Sequence, residues 1–434
     1  MNGRTSERSV VITGSGAICG SGKLPHEIWN AVREGRSAFA PITQWDASLC
    51  PSPLAAEIAD FDARALVEDR KLHKLTQRTD ILGLYAADRA IEQAGLTAHR
   101  MQLDDAGERT FNDRTGVYVG SGGGTYQISY DFFPLLTAAV GDLHTFGTEL
   151  TATVNPMWLL RTLPNNVLCH IGIRYGFKGP NACVTNHAVS GALALAEAAA
   201  ALRFGEADRV VAVGHHSGIE PQASLYYSTV GLLATDALRP FDARRAGSLH
   251  GEGAAALVLE TDAAAQARGA RVLGEFLGSG CTTEADGLLS VREDGDGLAR
   301  AISLALDDGG LGSDDVGMIV AHGNGTPRSD ASEAAAIRRI FGPDIPPVTA
   351  FKWAFGHLTA AAGVIDAVLA LISLQRRELP GIATLREVDP DCADLPVSTT
   401  AQVPRSEVAL VLCRGFAGMN VALLLRAACG APER

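Results

Sequence analysis

The sequence predicts an α/β protein built as two related halves, and three observations predict it. Short apolar strands alternate with helix-like segments along the whole chain, which is the pattern of layered α/β folds. Two strands run into the same tripeptide, Gly14-Ser-Gly16 and Gly278-Ser-Gly280, so the pattern begins again in the second half. The composition is globular: of 434 residues, 47% are hydrophobic and 20% charged, enough to bury one large double core or two domains. The division falls near 262, giving halves 1–262 and 263–434 with no disordered linker between them.

Charge and patterning exclude several classes. A formal net charge of −12 with no basic stripe disfavours a nucleic-acid partner. The longest apolar runs, 191–202 and 358–375, are interrupted by Glu197 and Asp366, so neither resembles a membrane span. The N-terminus carries no apolar signal region, which points to the cytoplasm. The eight cysteines (19, 50, 169, 183, 281, 392, 413 and 429) form no CxxC pair and read as reduced, mostly buried thiols, with no metal site expected.

In chain order, Ser9–Thr13 is a strand leading to Gly14-Ser-Gly16. A dinucleotide-binding loop there needs a third glycine at 19, where Cys19 stands. Residues 77–94 read as an amphipathic helix stopped by Gly95. Thr115–Val119 is a strand, and the following Gly120-Ser-Gly-Gly-Gly124 is either a ligand cradle or a tight turn in a crowded core. Residues 126–170, with Phe132, Phe133, Trp158 and prolines 134, 156 and 164, read as an irregular cap or subunit contact. Arg209–Val213 is a buried-type strand, and Gly251-Glu-Gly253 leads into the strand Ala254–Leu259. Between them, Arg239-Pro-Phe-Asp242 reads as a braced turn. A strand at 272–277, a helix at 297–308 and the strand Met318–Ala321 complete the second series.

One stretch organises the chain. Pro180-Asn-Ala-Cys-Val-Thr-Asn-His-Ala-Val-Ser-Gly191 reads as a strand turning sharply into an alanine-rich helix that ends at Gly205. Such an elbow lifts one side chain towards the helix N–H groups and suits a nucleophile. The residue best placed there is Ala188, which can do no chemistry. Cys183 lies inside the preceding strand and reads as a structural thiol.

Two histidines carry the remaining chemistry. His322 ends the strand Met318–Ala321 within Ala321-His-Gly-Asn-Gly-Thr-Pro327, with Asp330 and Glu333 on the next turn and helix. His357 lies in Lys352-Trp-Ala-Phe-Gly-His-Leu-Thr359, before a long apolar helix. Each sits where a strand or loop meets a helix, the usual seat of site residues in α/β folds. A helix N-terminus there keeps an imidazole neutral, able to donate Nε2–H to a developing oxyanion. Lys352 is placed to hold a carboxylate or tune the pair.

Together with Lys178-Gly-Pro-Asn181, Arg239-Pro-Phe-Asp242, Gly251-Glu-Gly253, Thr326-Pro327, Ala361-Ala-Gly363 and Gly415-Phe-Ala-Gly418 followed by Asn420, these motifs make nearly the whole chain resemble the β-ketoacyl synthases. The resemblance implies a thiolase-like fold, five-layered α/β/α/β/α, and a dimer formed across the region before the elbow. It implies an elbow cysteine that takes an acyl chain from acyl carrier protein. Two histidines then decarboxylate a malonyl thioester and stabilise its enolate, which attacks the acyl group. No cofactor is held permanently, since the phosphopantetheine arm arrives with the carrier. By the same resemblance, the amides of Ala188 and Phe416 form the oxyanion hole. Thr326, Asn324, Gly415 and Phe416 meet the carrier arm, with Phe416 as gate. Glu333, Asp330, Arg239 and Asp242 support the site.

The departures are specific. Ala188 stands at the cysteine position and Asn324 replaces a threonine. Arg414 stands where an aromatic is common, Met419 where a threonine is, and His187, Ser248 and His250 are atypical. They suggest a specialised branch, for polyketides or aryl polyenes. Three explanations of Ala188 stand: a synthase whose cysteine was replaced by experiment, a natural malonyl-carrier decarboxylase, or a silent subunit like a chain-length factor. The retained His322, His357 and Lys352 weigh against the third. A nicotinamide-dependent reductase is disfavoured, because Tyr226 and Tyr227 have no lysine four residues on.

Overall fold

A computed structural model describes residues 9–123 and 132–428. Gly124, Cys429 and the first residues of the expected cap lie outside the described residues. The strands are β1 (Val10–Cys19), β2 (Ala40–Pro41), β3 (Leu54–Ala56), β4 (Thr115–Ser121), β5 (Asn181–Val184), β6 (Arg209–Ser217), β7 (His250–Thr261), β8 (Gly274–Thr283), β9 (Met318–Val320), β10 (Val348–Thr349), β11 (Val408–Gly415) and β12 (Met419–Ala427).

Two five-strand sets follow one another, β1-β7-β6-β4-β5 and β8-β12-β11-β9-β10, each with parallel and antiparallel neighbours. They are joined edge to edge, because Val10, Val11 and Ile12 of β1 pair with Phe276, Glu275 and Gly274 of β8. Beyond Ile12 that pairing stops, and each strand continues only with its own set. The two expected stacked sheets are therefore one hydrogen-bonded ladder, bent at a short seam.

The helices Ser190–Arg203 and Ala362–Arg376 fill the space between the sets and touch strands of both. Outside them, Arg78–Gln93 covers β1, β7 and β6, and Asp296–Gly309 covers β8 and β12. This is the expected order of layers, with the elbow helix buried at its centre. The helical stretch Thr359–Arg376 is apolar and long enough to cross a membrane, yet 83% of it is buried inside the protein.

The repeated Gly-Ser-Gly sits inside strands, where the sequence reading placed it at their ends. A Cβ on Gly14 or Gly16 would lie 2.2 or 2.1 Å from the carbonyl oxygens of Ala90 and Ala86 in the covering helix. Gly278 and Gly280 are pressed equally by Ala305 O and Ala301 O, at 2.6 and 2.1 Å. Glycine is required because a helix backbone lies directly on the strand. The two halves thus repeat one packing device.

The segment expected to be irregular is largely helical: Phe133–Ala138, Leu143–Thr153, Trp158–Thr162 and Asn166–Tyr175. Pro134 opens the first of these helices, where its missing N–H costs nothing. The segment exposes apolar side chains, including Leu143, Leu159 and Leu160. Burial of the cysteines is also less general than expected. Among the described residues only Cys19, Cys392 and Cys413 are buried, and Cys281 is exposed.

Candidate active site

The carboxyl ends of parallel strands from both halves meet at one cavity of about 100 Å³, partly open to solvent. β5 leads to Ala188, β9 to His322, β10 to the Lys352–His357 loop and β11 to Gly415 and Phe416. The cavity wall includes Ala188, His322, His357, Asn324, Thr326 and Phe416.

The elbow is turned by His187, whose φ of +49° lies in the left-handed region, at a cost of order 1–3 kcal/mol. Ser190 fixes the turn: its Oγ accepts from Asn186 N at 2.7 Å and donates to the carbonyl of His187 at 2.7 Å. A short 3-10 turn, His187–Val189, separates position 188 from the helix proper, and Ala188 itself is buried. β11 reaches the elbow directly, because a Cβ on Gly415 would stand 3.6 Å from Ala188 N. The Sγ of Cys413 donates to the carbonyl of Ala188 at 3.2 Å. The two segments expected to supply an oxyanion hole are therefore neighbours. Cys183 is turned away; its thiol donates to Pro164 O at 3.3 Å, and burial pushes it up to about 11.

His322 and His357 stand edge to face, with ring centroids 5.1 Å apart. Nδ1 of His322 accepts from the main-chain N–H of Arg414 at 3.3 Å, and Nδ1 of His357 from that of Thr359 at 3.0 Å. Both rings therefore carry their proton on Nε2 when neutral. Burial lowers both pKa values well below the ordinary histidine value, and the Lys352 ammonium lowers them further. The direction is the expected one, but these causes replace the helix terminus invoked from the sequence.

The loops are held from behind. Glu333, fully buried, accepts from the N–H groups of His322 and Gly323 at 2.7 and 2.9 Å. Lys352 does not line the cavity. It is fully buried, and its Nζ lies 2.9 Å from Oδ2 of Asp366. Leu249 O accepts from His357 N at 2.8 Å, tying the loop to the start of β7. Asn324 forms an Asx turn: its Oδ1 accepts from the N–H and hydroxyl of Thr326 at 3.0 and 2.8 Å.

Arg239 and Asp242 brace loops away from the cavity, whereas Asp330 holds the N–H of Gly325, between the wall residues Asn324 and Thr326. Arg239 pairs with Asp236 at 2.6 Å. Burial would raise Asp242, but the Arg244 side chain and the N–H groups of Arg386, Arg244 and Glu387 hold its carboxyl far below the usual range. Asp330 accepts from Phe241 N and Gly325 N, and burial pushes it up to about 7.

The sequence reading missed several wall residues. Arg414, noted there only as a departure, is buried: it binds Glu284 at 2.7 Å and Asn420 at 2.9 Å. Tyr227 reaches His187, with its hydroxyl 2.5 Å from Nε2. Asp366 had a readable signal, a lone carboxylate in an apolar run. Glu284 and Tyr227 had none, because they come from a loop and from the helix Pro221–Thr229, both distant in sequence.

Comparison with known proteins gives the class. The β-ketoacyl synthase N-terminal domain matches residues 7–265, and the C-terminal domain matches residues 273–386. The 3-oxoacyl-[acyl-carrier-protein] synthase 2 of Synechocystis sp. is 30% identical, over 97% of this chain and 98% of its own length. The actinorhodin polyketide putative beta-ketoacyl synthase 2 of Streptomyces coelicolor is 34% identical, over 96% and 98%. The solved ishigamide ketosynthase/chain length factor is 30% identical, with a TM-score of 0.85 over 98% of this chain and 100% of that one. The chain belongs to the β-ketoacyl synthase family.

Proposed function

We propose that this chain binds malonyl-acyl carrier protein and decarboxylates its malonyl thioester at the His322–His357 pair. That is the malonyl-handling half of a condensation in fatty-acid or polyketide synthesis. The acyl-accepting half lacks its nucleophile because residue 188 is alanine. The observation that carries the reading is the pair of Nδ1 acceptor bonds, which leaves both neutral rings with an Nε2–H donor. In the step, the bond between the α-carbon and the carboxylate breaks, carbon dioxide leaves and the electron pair enters the thioester enolate. The two Nε2–H groups stabilise its oxygen. With no acyl-enzyme to attack, the enolate takes a proton from solvent, leaving an acetyl thioester on the carrier. Thr326, Asn324, Gly415 and Phe416 meet the phosphopantetheine arm as it enters.

A second subunit of the same family completes the assembly, as an identical copy or as a partner carrying the cysteine. The exposed apolar side chains before the elbow support this, since monomers seldom leave such patches open. In this division residues 1–262 supply the elbow and subunit contact, and residues 263–434 the histidines, Lys352 and the Phe416 loop.

The test is to restore the thiol. Ala188→Cys is expected to gain an acyl group from a panel of acyl-carrier thioesters, read as a mass increase on intact protein, and then to condense with malonyl-carrier. Failure to load any acyl group, with or without a candidate partner subunit, contradicts the synthase reading and leaves a silent subunit.

A further inference from the structure

Ser248 lines the active-site cavity, held between the two histidine loops. On one side of it, the N–H of Gly247 donates to the carbonyl of Gly325 at 3.0 Å, in the His322 loop. On the other, the carbonyl of Leu249 accepts from the N–H of His357 at 2.8 Å. The main chain of Ser248 is itself fixed: its N–H donates to Leu232 O and its carbonyl accepts from Ala234 N, both at 2.8 Å. The side chain is buried, yet its Oγ has no hydrogen-bond partner. A buried hydroxyl left unpaired works against the fold, so its place in a cavity wall points to a ligand. Among the described residues, the wall holds one other such atom, Nδ1 of His187, which belongs to the elbow and not to the histidine loops.

We infer that Ser248 recognises the malonyl carboxylate and lets the site tell malonyl-carrier from acetyl-carrier. This rests on the proposed decarboxylation and deepens it. With the thioester oxygen at the two Nε2–H groups, the carboxylate carbon is two bonds from the carbonyl carbon, inside a cavity of about 100 Å³. The Ser248 hydroxyl donates to a carboxylate oxygen there, a charge-assisted bond. Arg414, the cationic residue of the wall, is already engaged. Its guanidinium donates to Glu284, Asn420 and Ser329 O at 2.7, 2.9 and 3.0 Å, and the Glu284 carboxylate offsets its charge. A neutral donor also suits the step. The carboxylate loses its charge as carbon dioxide forms, so an ion pair would stabilise the bound substrate more than the transition state and slow the reaction. A single hydroxyl bond gives recognition with less of that loss. In the acetyl product the carboxylate is gone and Ser248 is again unpaired, which favours product release.

The test uses the full, unaltered chain and its Ser248→Ala variant. Each is titrated calorimetrically with two carrier proteins, whose arms bear a malonyl or an acetyl group through an amide in place of the thioester, so that neither is turned over. The unaltered chain is expected to bind the malonyl form about tenfold more tightly or better, the ordinary effect of one hydrogen bond to a charged group. Ser248→Ala removes only an atom that the fold leaves unpaired, and should lose most of that preference by weakening the malonyl form alone. Affinity for the acetyl form reports any general damage to the site. Ser248→Cys, nearly isosteric but a weak donor, should lose the preference in part, so the result does not hang on one variant. No preference in the unaltered chain, or an undiminished preference in both variants, overturns the role of Ser248. Carbon dioxide release from the malonyl thioester is then followed separately. A preference that depends on Ser248 in a chain releasing no carbon dioxide leaves the carboxylate contact standing and contradicts the decarboxylation. Carbon dioxide release without any preference for the malonyl form contradicts the Ser248 contact alone.

Discussion

Nδ1 of His357 accepts from the N–H of Thr359 at 3.0 Å, two residues along its own loop. The bond orients the ring before any substrate arrives, and Arg414 does the same for His322. Both rings are also buried beside Lys352, which disfavours a second proton. At pH 6, where a free histidine is mostly protonated, both are expected to stay neutral. Imidazole nitrogen shifts from a histidine-labelled sample check this. Imidazolium signals from either ring at that pH contradict the assignment.

The Lys352–Asp366 pair is a buried ion pair, and removing one member leaves the other charge without compensation. Lys352→Met is expected to destabilise the fold by about 3–5 kcal/mol in denaturant unfolding, and adding Asp366→Leu should recover most of the loss. A Lys352→Met protein as stable as the parent would show that Asp366 is already neutral without its partner.

His250 links stability to pH. Burial lowers its pKa to about 4, and the nearby His187 adds to that. In the unfolded chain it titrates near 6.5, so between those values the unfolded state binds the proton and the native state does not. Its contribution is complete above about 6.5 and is lost as pH falls towards 4, by up to about 1.4 kcal/mol per pH unit. The stability of the parent relative to His250→Gln should therefore fall as pH drops from 7 to 5. A difference that is flat or grows over that interval contradicts it. Comparing the two proteins removes the opposing effect of buried carboxyls such as Asp80 and Asp330, both raised to about 7.

Much of the architecture was legible because the packing that sets it is written in small residues. Gly14, Gly16, Gly278 and Gly280 announced two matching halves. Their place inside the strands was hidden, because a glycine that admits a helix backbone looks in sequence like one that ends a strand. Pro134 misled in a similar way, reading as a breaker where it begins a helix. At the site, His322, His357 and Ala188 were legible, each beside its own turn. The charge that tunes the histidines was half legible: Lys352 was seen, but its partner Asp366 was read only as an interruption of an apolar run. Tyr227 reaches the cavity from the helix Pro221–Thr229 and Glu284 from a distant loop, and no local pattern marks such a contact.

The central claim is that decarboxylation survives without a nucleophile. It is tested most directly by offering malonyl-carrier protein to the unaltered chain and to the chain carrying both His322→Ala and His357→Ala. The unaltered chain should release carbon dioxide and leave acetyl-carrier, with no change in its own mass. The double variant should be slower by about 10²-fold or more, the usual cost of lost oxyanion donors. Equal rates from the two proteins would show that the histidines serve the fold alone and would contradict the account.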